Sequence, residues 1–389
     1  MGKSKNELIN YGRHSIDEAD CDAVREVLLS DFLTTGPKAA ELEQCLCDLT
    51  GAKYAVSIAN GTAALHAACH AIGICEGDEV ITTPITFAAT SNCILYCGGT
   101  PIFADIEQDT YNISPSAVES LITPRTKAVI AVDFTGQAAQ YDELCNICER
   151  NNLTLIDDAA HSIGTKYNGV SIGNIADMTT FSFHPVKTVT SGEGGAILTN
   201  SKELYDNLIL FRTHGITRNQ EQMEYPTDDY WYYEQIDLGF NYRLTDIQAA
   251  LLISQLKKLD KFAARRGEIV KRYDDAFSSM PEIIVQREIP QSKTVRHLYI
   301  AQLNYELLKC TRRVFHDELM NENIVGNVHY IPVYYHPYYR NLGYKKGLCP
   351  VAEKVYEGFI SLPLYYSLTN EDVERVITTV KQIVNKYKR

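Results

Sequence analysis

Leu153-Thr154-Leu155-Ile156-Asp157-Asp158-Ala159-Ala160-His161-Ser162 is an apolar run that ends abruptly in two carboxylates. A short apolar run of this kind reads as a buried strand, and acids at its carboxyl end stand where open α/β sheets bind ligands. The same grammar extends upstream. Tyr54 to Ile58 leads into a helix from about Thr62, Glu79 to Thr82 into one from Ala88, Thr100 to Ala104 into one from Pro115, and Ala128 to Val132 into one from Tyr141. Strands alternating with helices of this length predict an α/β fold with a mostly parallel sheet covered on both faces. Downstream, Thr179 to Phe183 and Ala196 to Thr199 are predicted as further strands around a glycine-rich turn.

After Asn241 the texture changes. Arg243 to about Phe277 reads as one long helical stretch linking two domains. His297 to Asn304 alternates like a half-buried strand, Thr311 to Glu322 like an amphipathic helix, and Asn370 to Lys388 like a closing helix with a Thr-Asn start. The expected division is a large domain over 1–250, including an N-terminal arm, and a smaller C-terminal α/β domain over 251–389. Asn219 to Glu234, rich in tyrosine and acid, is expected to be a surface excursion near the active site or an interface.

The formal net charge of −12 and the lack of a basic run longer than Lys257-Lys258 or Arg265-Arg266 argue against nucleic acid as a partner. A single phosphate or nucleotide is not excluded, because local dipoles bind those regardless of net charge. The polar start, with Lys3 and Lys5, argues against a secretory signal, and no apolar run is long enough for a membrane span. Eleven scattered cysteines predict buried thiols in a reducing cytoplasm. Cys145 and Cys148 form a C-x-x-C, yet no second pair stands at a metal-binding spacing, so no metal is expected.

Four stretches carry candidate chemistry. Lys187 follows Phe181-Ser182-Phe183-His184-Pro185-Val186 and precedes Thr190-Ser191-Gly192-Glu193-Gly194-Gly195. A lysine leaving a sheet edge into such a turn stands where backbone approaches a ligand closely, although alone it is as readily a solvated charge. Asp158, with Asp157 as the fallback, is a candidate ligand group, while one of the two could equally be a helix N-cap. Asn60-Gly61-Thr62-Ala63 opens a helix whose free amides suit a phosphate, or is simply a capped helix. Phe87, between strand and helix, either plugs the core or stacks on a flat ring.

In this order the four stretches resemble the DegT/DnrJ/EryC1/StrS aminotransferases, a sugar-nucleotide group of the pyridoxal-phosphate-dependent transferase fold type I. Gly239 to Ala250 and Val328-His329-Tyr330-Ile331-Pro332 extend the resemblance over almost the whole chain. It implies a seven-stranded, mostly parallel sheet between helices. It also implies that Lys187 carries pyridoxal 5'-phosphate and that Asp158 meets the pyridine nitrogen. Phe87 would stack on the ring, and Gly61, Thr62, Ala63 and Ser182 would surround the phosphate, with Asn241 supplied by the other subunit of a homodimer. His161 stands where many relatives have glutamine, near the cofactor. Tyr11, Asp31, Phe32, Leu33, Thr34, His329 and Tyr330 resemble positions lining the sugar-nucleotide pocket. Arg243 is a candidate for the amino-donor carboxylate or the nucleotide phosphates.

The stretch from Ser182 to Lys187 with Gly192 to Gly195 is most similar to the branch serving pseudaminic acid synthesis. That similarity implies transfer of an amino group from L-glutamate to C4 of a UDP-linked 4-keto-6-deoxy-N-acetylhexosamine. Lys187 would move a proton as base and then acid, with pyridoxamine phosphate between the two half-reactions. His184 would assist or only shape the turn. A dehydratase of the same fold would have histidine in place of Lys187, and a non-catalytic relative would have lost Lys187 or Asp158. A nicotinamide enzyme would need a G-x-G-x-x-G between strand and helix, which the Gly192 turn lacks.

Overall fold

The computed structural model describes residues 7–389; Lys3 and Lys5 lie outside the described residues. Two helices precede the first strand and were not part of the strand–helix alternation: α1 (Glu18–Leu28) and α2 (Pro37–Thr50). The alternation then runs β1 (Tyr54–Ile58), α3 (Gly61–Ala71), β2 (Glu79–Thr82), α4 (Ala89–Tyr96), β3 (Thr100–Phe103) and the short α5 (Pro115–Ser120). It continues with β4 (Thr126–Val132), α6 (Tyr141–Asn151) and β5 (Thr154–Asp158). After the small β6 (Lys166–Tyr167) and β7 (Val170–Ser171) come β8 (Met178–Ser182), β9 (Gly195–Thr199) and α7 (Lys202–Arg212).

Seven of these strands form one sheet in the order β1-β9-β8-β5-β4-β2-β3. Only β9 runs against the rest, pairing antiparallel with β1 and β8. The sheet is thus the mostly parallel one expected, and the fold is α/β as in pyridoxal-phosphate-dependent fold type I. Strand alternation divides its residues between two cores. Val129, Ala131, Leu155 and Leu198 pack with α2 and α6 through Leu42, Leu46 and Leu144. Ala128, Ile130, Ile156 and Ile197 pack with α3, α4 and α7 through Ala64, Ile94 and Phe211. The strand with β8 is interior, so Lys187 leaves the carboxyl end of a central strand rather than a sheet edge.

The expected long helix is two. α8 (Asp246–Leu256) and α9 (Leu259–Phe277) meet at Lys257-Lys258, where Lys258 reaches back to Asp17 and Asp20 at 2.6 Å each. Leu252, Ile253, Leu259 and Phe262 still belong to the large-sheet core, whereas Ile269, Tyr273 and Phe277 belong to a second one. That second core rests on an antiparallel sheet of β12 (Ile283–Val285), β14 (Tyr299–Leu303) and β15 (Phe359–Leu362). A separate two-residue strand, β13 (Ser292–Lys293), pairs with β6. Helices α10 (Arg312–Asn321) and α13 (Asn370–Tyr387), each capped by a threonine, cover one face of the antiparallel sheet.

The other face carries Leu298, Ile300 and Phe359 against Ile85, Phe103 and Phe134 of the large-sheet region, together with Val333, Tyr334 and Tyr339. Hence β14 is buried on both faces and not half-buried as its alternation suggested. The sheet behind it is central to the junction of the two cores, and that junction is where the cavity described below lies. The remaining helices there are α11 (Pro337–Asn341) and α12 (Pro350–Gly358). The 219–234 excursion lies between β10 (Ile216–Thr217) and β11 (Glu234–Gln235) and exposes Tyr225, Tyr230, Trp231 and Tyr233. Every cysteine is unbridged; Cys145 and Cys148 sit on α6, while Cys21 and Cys75 are exposed, against the expectation of burial.

Candidate active site

A large cavity of about 1290 Å³ opens at the carboxyl ends of β4, β5 and β8. Side chains reach it because of where the strands stop. Asp158 is the last residue of β5 and lies opposite Val132 on β4 and Thr180 on β8. It is 5% exposed; Thr90 donates to its Oδ2 at 2.6 Å and the Ala160 amide to its Oδ1 at 3.3 Å. Burial raises its pKa, opposed by the Thr90 hydrogen bond and the nearby Lys187 charge. No helix follows Asp157-Asp158, so neither is an N-cap. Asp157 points to the opposite face of the sheet, outside the cavity.

Lys187 comes from the turn after β8. Phe183 holds that turn closed: its amide donates to Gly194 O at 2.8 Å, and its carbonyl accepts from the Ser191 amide at 3.0 Å. The Lys187 amide donates to His184 O at 2.9 Å. The residue is half-buried, but its ammonium is buried and its pKa falls to about 8, because burial disfavours the charge more than Asp158 supports it. A lysine so depressed releases its proton far more readily than one in water.

The start of α3 forms the floor between these groups. Asn60 caps it, accepting the Ala63 amide at 2.8 Å, so the amides left without an intrachain partner among the described residues are those of Gly61 and Thr62. Ser182 stands beside them: a Cβ added at Gly61 would lie 2.8 Å from Ser182 Cβ. Gly195 allows β9 to pass directly under the cap, where a Cβ would meet Asn60 O at 2.5 Å. At Gly195 the missing side chain serves close approach of backbone to backbone, and at Gly61 close approach to the Ser182 side chain. Two free amides, a hydroxyl and the positive end of a helix dipole make an anion seat.

Phe87 does not plug the core. Its ring is 64% exposed and lines the cavity, 6.4 Å from Tyr330. His161 is buried; its Nε2 lies 3.3 Å from the Tyr330 hydroxyl and its ring 4.5 Å from that of His297. Burial pushes the pKa of His161 and His297 well below the usual range, so both rings are neutral. His329 is held by Ser361 Oγ at 2.7 Å, with its pKa pushed down to about 4 by burial and then by the Lys187 charge. Tyr11 packs against His329 at 5.5 Å and completes this side.

The structure therefore brings together Tyr11, Gly61, Thr62, Ala63, Phe87, Asp158, His161, Ser182, Lys187, His329 and Tyr330 around one cavity. It does not bring Asp31, Phe32, Leu33, Thr34, Asn241 or Arg243 to that cavity. They are held elsewhere: Thr34 bridges to Thr245, Leu33 O accepts from the Asp246 amide, and the exposed Asn241 bridges to Thr213. Leu28, Leu29 and Leu238 are exposed as well, while Phe240 lines the cavity. Sequence reasoning missed His297, Asn327 and His336, which line the cavity from the C-terminal half. His297 opens a predicted strand, and a buried polar residue there was the available signal. No arginine lines the cavity, and no group of three or more potential ligands stands ready for a metal ion among the described residues.

Comparison with known proteins agrees with this geometry. Residues 14–381 match the DegT/DnrJ/EryC1/StrS aminotransferase family. The chain is 37% identical, over 98% of its length and 99% of the other, to a Campylobacter jejuni protein named UDP-4-amino-4,6-dideoxy-N-acetyl-beta-L-altrosamine transaminase. Helicobacter pylori PseC, an aminotransferase of pseudoaminic acid biosynthesis, superposes with a TM-score of 0.91 at 33% identity, covering 98% of this chain and 100% of PseC. Spr1654 of Streptococcus pneumoniae, solved in a PLP-form, gives a TM-score of 0.91 at 31% identity, covering 98% and 99% of the two chains.

Proposed function

The chain belongs to the DegT/DnrJ/EryC1/StrS aminotransferase family, and on that premise we propose that it moves an amino group from L-glutamate to C4 of a UDP-linked 4-keto-6-deoxy-N-acetylhexosamine. The observation that carries this reading is Lys187, with its pKa lowered, facing the buried Asp158 across one cavity floored by free helix amides. The residues present fit pyridoxal phosphate. Lys187 would carry it, Asp158 would hold its ring nitrogen protonated, and Phe87 would cover a ring face. Gly61, Thr62 and Ser182 would take its phosphate. Bound there, the cofactor would supply the electron sink that stabilises the carbanion left when a Cα proton is removed.

The protein's own share is proton transfer and placement. Freed from the cofactor, the Lys187 amine would take the Cα proton of the donor and deliver it to the carbon on the far side of the shared nitrogen, acting as base and then acid. The neutral rings of His161 and His329, with the Tyr330 hydroxyl, offer hydrogen bonds to a sugar without placing a charge beside the reacting carbon. A doubly anionic diphosphate and the glutamate carboxylates need more cation than Lys187 supplies, and no arginine lines the cavity. A homodimer would meet that need: the exposed apolar residues Leu29, Phe32 and Leu238 would pair with a second copy, bringing Asn241, Arg243 and Asp31 to Thr34 to the partner's cavity. Eleven unbridged thiols suit a reducing cytoplasm, and no helix of the described residues is long and apolar enough to cross a membrane.

Absorbance of the purified protein, incubated with pyridoxal phosphate and then with L-glutamate, tests the reading. The expected result is a band near about 410–430 nm that falls as one near about 330 nm rises, then recovers when the UDP-4-keto sugar is added. A protein that takes up no cofactor, or whose spectrum is indifferent to glutamate, overturns the assignment.

A further inference from the structure

Asp157 and Asp158 are consecutive on β5 and therefore face opposite sides of the sheet. Ala131 on β4 pairs with Asp157, and Val132 with Asp158, so Asp133 falls on the Asp157 side, one step beyond the end of β4. Asp133 and Asp157 are 0% and 1% exposed. Tyr141, the first residue of α6, donates its hydroxyl to Asp133 Oδ1 at 2.9 Å, and the same hydroxyl is in contact with Asp157. The Ala139 amide donates to Asp133 Oδ1 at 2.8 Å. Asp133 Oδ2 and Asp157 Oδ1 are both buried without a hydrogen-bond partner, as is the hydroxyl of Thr179, which stands opposite Asp157 on β8.

The groups facing the two acids are Tyr141 and Cys145 from α6, Ser162 from the turn after β5, Thr179 from β8, and Asp158 behind them. None is a cation, and no ion pair among the described residues reaches either carboxyl. The Tyr141 hydroxyl has one hydrogen and gives it to Asp133, so its contact with Asp157 lacks a donor unless a further proton is present. Two buried carboxyls that share one hydroxyl and meet no cation resist ionising together, as in any carboxyl dyad.

We propose that Asp133 and Asp157 form an acid pair that holds one proton at neutral pH and acts as a positioning device behind Asp158. Burial pushes both carboxyls upward, Asp133 to about 7; the Asp133 charge adds to this at Asp157, and the Asp158 charge adds to it at Asp133. The held proton limits the negative charge at the strand ends, and so lets Asp158 remain the ionised group on the cavity side. That last step rests on the role given above to Asp158; the held proton does not.

The pair is tested on cofactor-free protein by infrared spectroscopy at neutral pH, which reads a protonated carboxyl directly and is independent of the aminotransferase reading. The expected result is a carboxylic-acid carbonyl band that disappears in Asp133→Asn and in Asp157→Asn. An asparagine amide can replace the acid as donor, so both variants are expected to fold. Tyr141→Phe keeps both acids and should shift the band instead of removing it. This variant separates the pair from Asp158 and Asp274, the other carboxyls raised by burial. The linkage has a definite sign. A folded-state pKa raised above the unfolded value makes wild-type stability fall as pH rises from about 4 to about 7, and each Asn variant should lose part of that fall. Wild-type protein with no protonated carboxyl at neutral pH, or a band unmoved by all three substitutions, overturns the proposal. A spectrum as expected with no aminotransferase activity would leave the pair intact and remove only its purpose.

Discussion

The cavity has two walls built by different means. One is the set of strand ends at β5 and β8, with Asp158 and Ser182 terminal and Lys187 on a turn pinned by Phe183. The other, Asn327 to Ile331 with His297, belongs to connections of the C-terminal half and is held by distant contacts. The Asn327 amide donates to Ser361 O at 3.1 Å, His329 leans on Ser361 Oγ, and the Val333 amide donates to Pro84 O at 3.0 Å. Strand ends inherit their positions from a hydrogen-bonded ladder and from two packed cores, so a reactive group placed there is firmly positioned. Connections vary more freely, and a wall made of them suits the recognition of a particular sugar. On the proposed function, the difference would make chemistry and selectivity physically separable in this protein.

Substitutions on the two walls should therefore fail in different ways. The largest effect is expected at Lys187→Ala, which removes both the tether and the proton shuttle. Turnover should fall by about 10³-fold or more, with loss of the visible absorbance of the bound cofactor. A variant retaining a tenth of wild-type kcat would break the comparison outright. Asp158→Asn keeps the size and loses the charge; kcat should drop by about 10²-fold with little change in KM for the sugar. A rise in KM alone would move Asp158 from the chemical wall to the recognition wall. His329→Ala, on the opposite wall, should raise KM for the nucleotide sugar by roughly tenfold, about 1.4 kcal/mol, and disturb kcat less. If steady-state kinetics instead showed kcat falling as far as in Asp158→Asn, the two walls would share the chemistry.

The strand-end wall was legible because it is written in local pattern. Apolar runs of four or five residues followed by Asp157-Asp158, by Asn60-Gly61-Thr62 and by the Lys187 turn are short-range signals, and each lies at the expected end of its strand. The expected site residues around the cavity divide along the same line. Those at strand ends converge on the cavity, as do Tyr11, His329 and Tyr330, whereas Asp31 to Thr34, Asn241 and Arg243 lie outside it. β14 shows the opposite kind of failure. Its alternation suggested one solvated face, yet Ile300 meets the core shared with Phe103 and Phe134 while Tyr299 and Ala301 meet the C-terminal helices. Gln302 sits buried in that strand because its amide oxygen accepts from Tyr111 at 2.9 Å. A polar residue satisfied by a distant hydroxyl looks, from sequence, like one facing water.

What the sequence by itself determined is the order of strands and helices, and the presence of a lysine, an aspartate and a capped glycine turn at strand ends. Periodicity is set by the local geometry of the backbone, so neighbouring residues suffice to reveal it. Only the tertiary structure decided that β5 lies beside β8, which brings Asp158 and Lys187 to one cavity, and that Asp158 rather than Asp157 faces it. Alternation says that consecutive residues point to opposite sides of a sheet. Which side holds the cavity depends on the helices and the second core packed there, and that packing joins residues far apart in the chain.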